Sequence, residues 1–142
     1  MHTARLLVGA VALAFAPHLA AQSVTEHIAA GDREHAAFKP IAALAAFEAA
    51  IALDSAHGEA LGKASRSAVD VGEQEADKSK ARELYRRGEQ YARRAVKASP
   101  NAENQFHLAR ALGRTALSVG VKVRVKYATE IRAVALTALK DD

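Results

Sequence analysis

The chain has 142 residues, 50% hydrophobic and 25% charged, with eight glycines, three prolines, no cysteine and no tryptophan. That is room for one domain, or a leader plus one domain, and the lack of cysteine excludes disulfide frameworks, thiol nucleophiles, zinc ribbons, Fe–S clusters and an acylated lipoprotein cysteine. About a quarter of the positions are alanine, the best helix former, so an all-helical chain is expected.

Residues 1–21 read as a secretory signal peptide. A short stretch carrying Arg5 leads into an apolar run from Leu6 to Ala16, and Leu19-Ala20-Ala21 offers small residues for cleavage after Ala21. Pro17 and His18 interrupt the run, which is shorter than the ~20 residues a spanning helix needs. The mature chain, 22–142, is therefore expected to be exported, periplasmic or secreted from a bacterium, with no membrane span left. Its charge is uneven. Four Lys/Arg stand against ten Asp/Glu from Gln22 to Asp77, a net of −6, whereas fifteen stand against six from Lys78 to Asp142, a net of +9. Such asymmetry steers an anionic partner to one end, or lets the acidic end of one copy meet the basic end of another.

The mature chain reads as a series of amphipathic helices. Ser23-Val24-Thr25-Glu26 fits a capping box, and Val24, Ile28, Gly31, His35 and Phe38 then share one helical face. Lys39-Pro40 marks the next boundary. From Pro40 to Leu53 the only charged residue is Glu48, and a helix so apolar all round is expected to be buried between neighbours. After the turn Asp54 to Gly58, a third helix runs from Glu59 to Val71 with Leu61, Ala64, Ala68 and Val71 inward. Gly72 and the polar stretch Glu73 to Lys78 read as a loop or as the frayed start of a long helix that runs to Ala98, with Ala81, Leu84, Tyr85, Gly88, Ala92, Ala95 and Val96 on its apolar stripe and Arg82, Arg86, Arg93 and Lys97 on another face.

Ser99-Pro100-Asn101 stops that helix. The fifth, Ala102 to about Ser118, carries Phe106, Ala109, Leu112, Gly113 and Leu117. In the last segment Val121-Lys122-Val123-Arg124-Val125-Lys126-Tyr127 alternates like a strand. A lone strand has no partner, however, and Val121, Val125, Ala128, Ile131, Ala135 and Leu139 also fit a helical stripe, so helix is expected from about Lys122 to Leu139.

Six helices in pairs suggest a repeat. Ala30-Gly31, Ala43 with Phe47, Ala50-Ile51 and Leu53-Asp54-Ser55 resemble the tetratricopeptide repeat (TPR), with Ser55 where proline is usual. A second unit begins with Leu61, Ala64, Ser65 and Ala68 and closes with Gly88, Ala92, Ala95-Val96 and Pro100. A third takes Phe106, Ala109 and Gly113, then Ile131, Ala135 and Ala138-Leu139. Small residues let two helices approach closely while a ring fills the gap beside them. Ser55 to Pro100 is 45 residues, longer than the standard TPR period of about 34, which also keeps HEAT-type repeats open.

The expected fold is all-α, a TPR-like α-solenoid of about three degenerate antiparallel helix hairpins with long helices. The order of features is similar to exported bacterial tetratricopeptide proteins and, more distantly, to the regulator of microtubule dynamics proteins, which implies a fold. Asp141 and Asp142 oppose the dipole of the last helix. The expectation is that the array continues past residue 142, or that a second copy covers a half-exposed stripe on that helix, which is self-association through the C-terminal helix.

Catalytic chemistry finds no anchor. The four histidines of the mature chain, His27, His35, His57 and His107, make no i, i+4 pair and no His-Glu-x-x-His, and no phosphate loop or Gly-x-Ser-x-Gly elbow occurs. The expectation is a protein that is not an enzyme and needs no metal or cofactor. The tetratricopeptide resemblance implies that the first helix of each unit lines a concave groove holding a peptide or a partner's helix. By residue matching, that groove takes Thr25, Ile28, Asp32, His35, Glu59, Arg66, Asp70, Asn104, His107 and Arg114, with Asp32, His35, Arg66, Asp70, His107 and Arg114 as the binding set. The alternative is a polyanion or anionic envelope surface bound by the basic C-terminal half through the long helix with Lys122, Arg124 and Lys126. Nucleic acid is disfavoured by export and by the scarcity of stacking rings.

Overall fold

The computed structural model describes residues 16–140, and the side chains of residues 23–140. Most of the expected leader and both terminal aspartates lie outside the described residues. The chain order is α1 (Ala16–Ala36), α2 (Pro40–Leu53), α3 (Gly58–Gln74), α4 (Lys78–Ala98), α5 (Ala102–Leu117) and α6 (Val121–Ala138). Each helix packs on the next, and α3 also packs on α5. The result is an all-α repeat of helix hairpins: α1 with α2, α3 with α4, α5 with α6.

The helix starts show their causes. Asp77 accepts from the amides of Ser79 and Lys80, Asn101 from that of Asn104, and the His57 ring from that of Ala60. Side-chain caps of this kind are worth ~1 kcal/mol each. Asp77 thereby converts part of the expected loop into a start signal, and α3 runs on to Gln74. At α1 the expected capping box is corrected: the helix already begins at Ala16 and passes through Ser23, which is therefore an interior position.

The end of α1 has an unusual geometry. The Lys39 amide donates to the Glu34 carbonyl at 2.9 Å and the Phe38 amide to that of His35 at 2.9 Å, the paired bonds of a Schellman stop. That motif places Phe38 in the left-handed region, φ 58°, where glycine is usual, and its ring is 91% exposed. Phe38 is thus not part of the inward stripe.

The first hairpin closes as the small-residue argument expects. Phe47 is fully buried with its ring against Gly31, where any Cβ would collide with it. In the second hairpin Gly88 lets α4 approach α3 so closely that a Cβ there would stand 3.1 Å from the Ser65 carbonyl. Around these joints Val24, Ile28, Leu44, Ile51, Leu61, Ala64 and Ala95 form the larger core, while Val69, Ala92, Leu108 and Leu112 form a second.

All three tyrosines tie helix α4 to its neighbours, two of them across hairpins. Tyr91 donates to Glu48 of α2 at 2.8 Å, Tyr85 to the Gly72 carbonyl of α3 at 3.0 Å, and Tyr127 of α6 reaches back to Glu89 at 3.2 Å.

Three expected faces are corrected. Helix α2 buries only one side, through Pro40, Ala43, Leu44, Phe47, Ala50 and Ile51, and leaves Ile41 71% and Leu53 51% exposed. Helix α5 is rotated from the expected stripe. It turns Leu108, Ala111, Leu112 and Thr115 inward and leaves Phe106 and Leu117 exposed, because α3, α4 and α6 press on it from three sides and small or polar residues fit there. Helix α6 is a helix, as expected, but it rests on Tyr127, Ile131 and Val134. Of the expected stripe, Ile131 packs inward, while Val121, Val125, Ala128, Ala135 and Leu139 point to solvent. Arg124 fixes that rotation by donating to the Ala116 and Val119 carbonyls, both at 3.1 Å, at the end of α5.

Candidate functional site

Helices α1, α3 and α5 present their polar residues to one another at helical spacing: Asp32 and His35; Glu59, Lys63, Arg66, Asp70 and Glu73; Glu103, His107, Arg110 and Arg114. Spacings of three and four residues put each set on one face, and the packing of α3 on α5 brings the faces together.

The geometry is a ladder of alternating charge. Lys63 Nζ lies 2.6 Å from Asp32 and 2.7 Å from Glu59, while Arg66 approaches Asp32 at 3.9 Å. Further along, His35 Nδ1 stands 3.8 Å from Asp70, and Arg110 links Asp70 at 2.7 Å to Glu73 at 3.0 Å. Arg114 adds its own contact to Glu73 at 2.7 Å. Burial opposes the charge on Lys63, but its hydrogen bonds to Asp32 and Glu59 outweigh it and hold the pKa above the ordinary value. Arg110 follows the same logic, with Asp70 and Glu73 overcoming burial.

His107 lies beneath this ladder. It is 5% exposed, its ring nitrogens have no hydrogen-bond partner among the described residues, and Glu103 is the nearest carboxylate, 3.6 Å from Nε2. Burial is the main reason that its pKa falls below the ordinary value; the charge of Glu103 opposes the shift, and Arg66 and Arg110 add to it. His107 is therefore a seam residue between α3 and α5. Of the wider groove set, Ile28 is core and Asn104 is structural: it is buried and donates to the Ser99 carbonyl at 2.8 Å.

The structure thus brings Asp32, His35, Arg66, Asp70 and Arg114 onto one surface. It adds Lys63, Glu73 and Arg110, which the sequence reading missed; each stands three or four residues from a named one, and that spacing was the available signal. Two hollows meet at Glu73. One, of about 300 Å³, is lined by His35, Phe38, Pro40, Asp70 and Gln74. The other, of about 350 Å³, lies between Tyr85, Arg82, Lys78 and Arg114.

The cationic alternative loses part of its surface to internal bonds. Arg93 is held by Glu89 at 2.8 Å and Glu130 at 2.5 Å, Arg87 pairs with Glu48, and Arg124 caps α5. Among the described residues no group of three His, Cys, Asp or Glu side chains is placed to hold a metal ion, and no helix is long and apolar enough to cross a membrane.

Compared with known proteins, residues 24–142 match the family model described as Regulator of microtubule dynamics protein 1-3. The chain belongs to this family. The match takes in all six helices except the start of α1, so the ladder of α1, α3 and α5 lies inside the region of this chain that matches the regulator of microtubule dynamics family. No curated protein and no solved structure matches the chain.

Proposed function

We propose that this member of the family is a non-enzymatic scaffold or adaptor of the tetratricopeptide kind. In this reading it is exported to the cell envelope and holds a peptide or a partner's helix along the α1–α3–α5 surface. The observation that carries the reading is the ladder itself: three first helices of three hairpins aim charges of both signs at one surface, with a hollow on either side of Glu73. Part-exposed ion pairs are worth only ~0–1 kcal/mol each in water, so a partner bearing its own charges can exchange them at little cost.

Phe38 strengthens the case. A bulky residue in the left-handed region is strained by ~1–2 kcal/mol, and this one presents its ring at the lip of the hollow that holds His35 and Asp70. The family's name refers to microtubule dynamics; in this reading the exported chain holds a different partner on the α1–α3–α5 surface.

The test is a crosslinked pull-down from the envelope fraction, repeated with charge-reversed variants. Capture should be lost with Asp70→Arg and Arg114→Glu and kept with Lys126→Glu. Recovery of anionic polymer alone, lost with Lys126→Glu and released steeply by salt, would replace this reading with the polyanion one.

A further inference from the structure

The hollow of about 350 Å³ beside Glu73 is built from the end of α3, the start of α4 and the end of α5. Its apolar lining includes a fixed ring. The Tyr85 hydroxyl donates to the Gly72 carbonyl at 3.0 Å, and the ring lies so close to Gly72 that a Cβ there would stand 2.6 Å from it. Leu117 of α5, 64% exposed, lines the same hollow.

The charges of this hollow are unbalanced. In the ladder each cation meets a carboxylate, as Lys63, Arg66, Arg110 and Arg114 do. The side chains of Lys78 and Arg82, by contrast, make no hydrogen bond or ion pair among the described residues, although they stand four apart on one face of α4, where like charges repel. Of the two acids in the lining, Glu73 is already shared by Arg110 and Arg114, and Glu75 turns an oxygen to the Asp77 amide at 2.9 Å. With Arg114, three cations therefore stand against two acids, an excess of one positive charge beside an aromatic ring.

We propose that this hollow binds a carboxylate carried on an apolar stem. Lys78, Arg82 and Arg114 surround the charge, while Tyr85 and Leu117 cover the stem. A single carboxylate balances the excess of one, whereas a doubly charged phosphate or a polyanion overshoots it, and a bare inorganic anion has no stem to place against the ring. The proposal rests on the reading of the α1–α3–α5 surface as the place that holds a peptide. It names what that peptide brings to one end of the surface: an acidic side chain beside an apolar one.

Amide NMR shifts of the whole chain read the hollow directly. The probe is the blocked dipeptide N-acetyl-Glu-Phe-amide, with N-acetyl-Gln-Phe-amide as its neutral twin, phenylacetate as a free organic acid and inorganic phosphate as a bare anion. The amides of Gly72, Tyr85 and Ser118 should shift and saturate with the Glu peptide, and the Gln peptide and phosphate should bind about tenfold more weakly or worse. Lys78→Gln combined with Arg82→Gln, both at exposed positions, should cost the Glu peptide about tenfold in affinity. Leu117→Ser should weaken both acids and leave phosphate unchanged. Equal binding of the Glu and Gln peptides overturns the proposal, as does phosphate that binds more tightly than either acid. Saturation by phenylacetate without the peptide keeps the carboxylate site and overturns the peptide as its source. The pull-down, repeated with the double variant, separates this site from the scaffold reading. Capture that survives Lys78→Gln with Arg82→Gln but not Asp70→Arg overturns the site and keeps the scaffold, while saturation by the Glu peptide with no partner captured does the reverse.

Discussion

The first and last hairpins use the same architecture with different closure. In α1–α2 a phenylalanine ring fills the space above a glycine and is wholly buried. In α5–α6 the corresponding glycine, Gly113, has nothing within 4 Å of where a Cβ would stand, Phe106 is 61% exposed, and none of the described side chains of α6 is buried. The lesson is that a repeat pattern specifies helices and their pairing, but the depth of each joint depends on which ring meets which small residue. The last hairpin is held instead by polar ties: Arg93 to Glu130, Tyr127 to Glu89 and Arg124 to the end of α5.

The sharpest way to break the comparison is Phe47→Ala, which should cost about 3–5 kcal/mol by leaving a cavity beside Gly31. Phe106→Ala, at the exposed ring of the last hairpin, should change stability by less than about 0.5 kcal/mol. Urea unfolding of both variants measures the contrast. Equal losses would mean that the last hairpin is closed as tightly as the first.

The seam beneath the ladder gives a dependence on pH. The His107 pKa is lower folded than its ordinary 6.5, so between the two values the unfolded chain binds more protons. The contribution from keeping this imidazole neutral is therefore fully present above about pH 6.5 and is lost as the pH falls toward the folded-state value. The midpoint of thermal unfolding should drop over that window, and His107→Leu should flatten the drop.

Phe38→Gly relieves a left-handed residue and should raise stability by ~1 kcal/mol. If the Phe38 ring serves binding at the hollow, the same change weakens partner capture, a split between stability and function that a structural residue would not show. A small effect is expected from the polar ties. Arg93→Ala should cost about 0.5 kcal/mol, less at high salt, because its pairs are part-exposed, and it should loosen α6 before anything else. A salt series of urea midpoints checks it.

Much of the fold was legible in the sequence. Pro40 and the Leu53-Asp54 break bound α2 where the structure has it, Ser99-Pro100-Asn101 separates α4 from α5, and the Ala43–Phe47 pair marks the tight hairpin. The valine and lysine alternation before Tyr127 resolves as helix because no strand is available to pair with it. What was not legible is rotation. The facing of α5 and α6 depends on how many neighbours press on each helix and on Arg124 reaching back to three carbonyls, and neither is written in local periodicity. The clustering of the candidate residues was legible only in part. Matching to the tetratricopeptide pattern named Asp32, Asp70 and Arg114, which share a surface, but the burial of His107 follows from the closeness of α3 and α5, which is a tertiary fact.

Native-state hydrogen exchange tests the uneven closure most directly. In dilute solution, amides in the middle of α2 and α3 should exchange only through global unfolding, while those of α6 exchange through local opening at much lower free energy. Protection of α6 equal to that of α2 in the dilute sample would contradict the account.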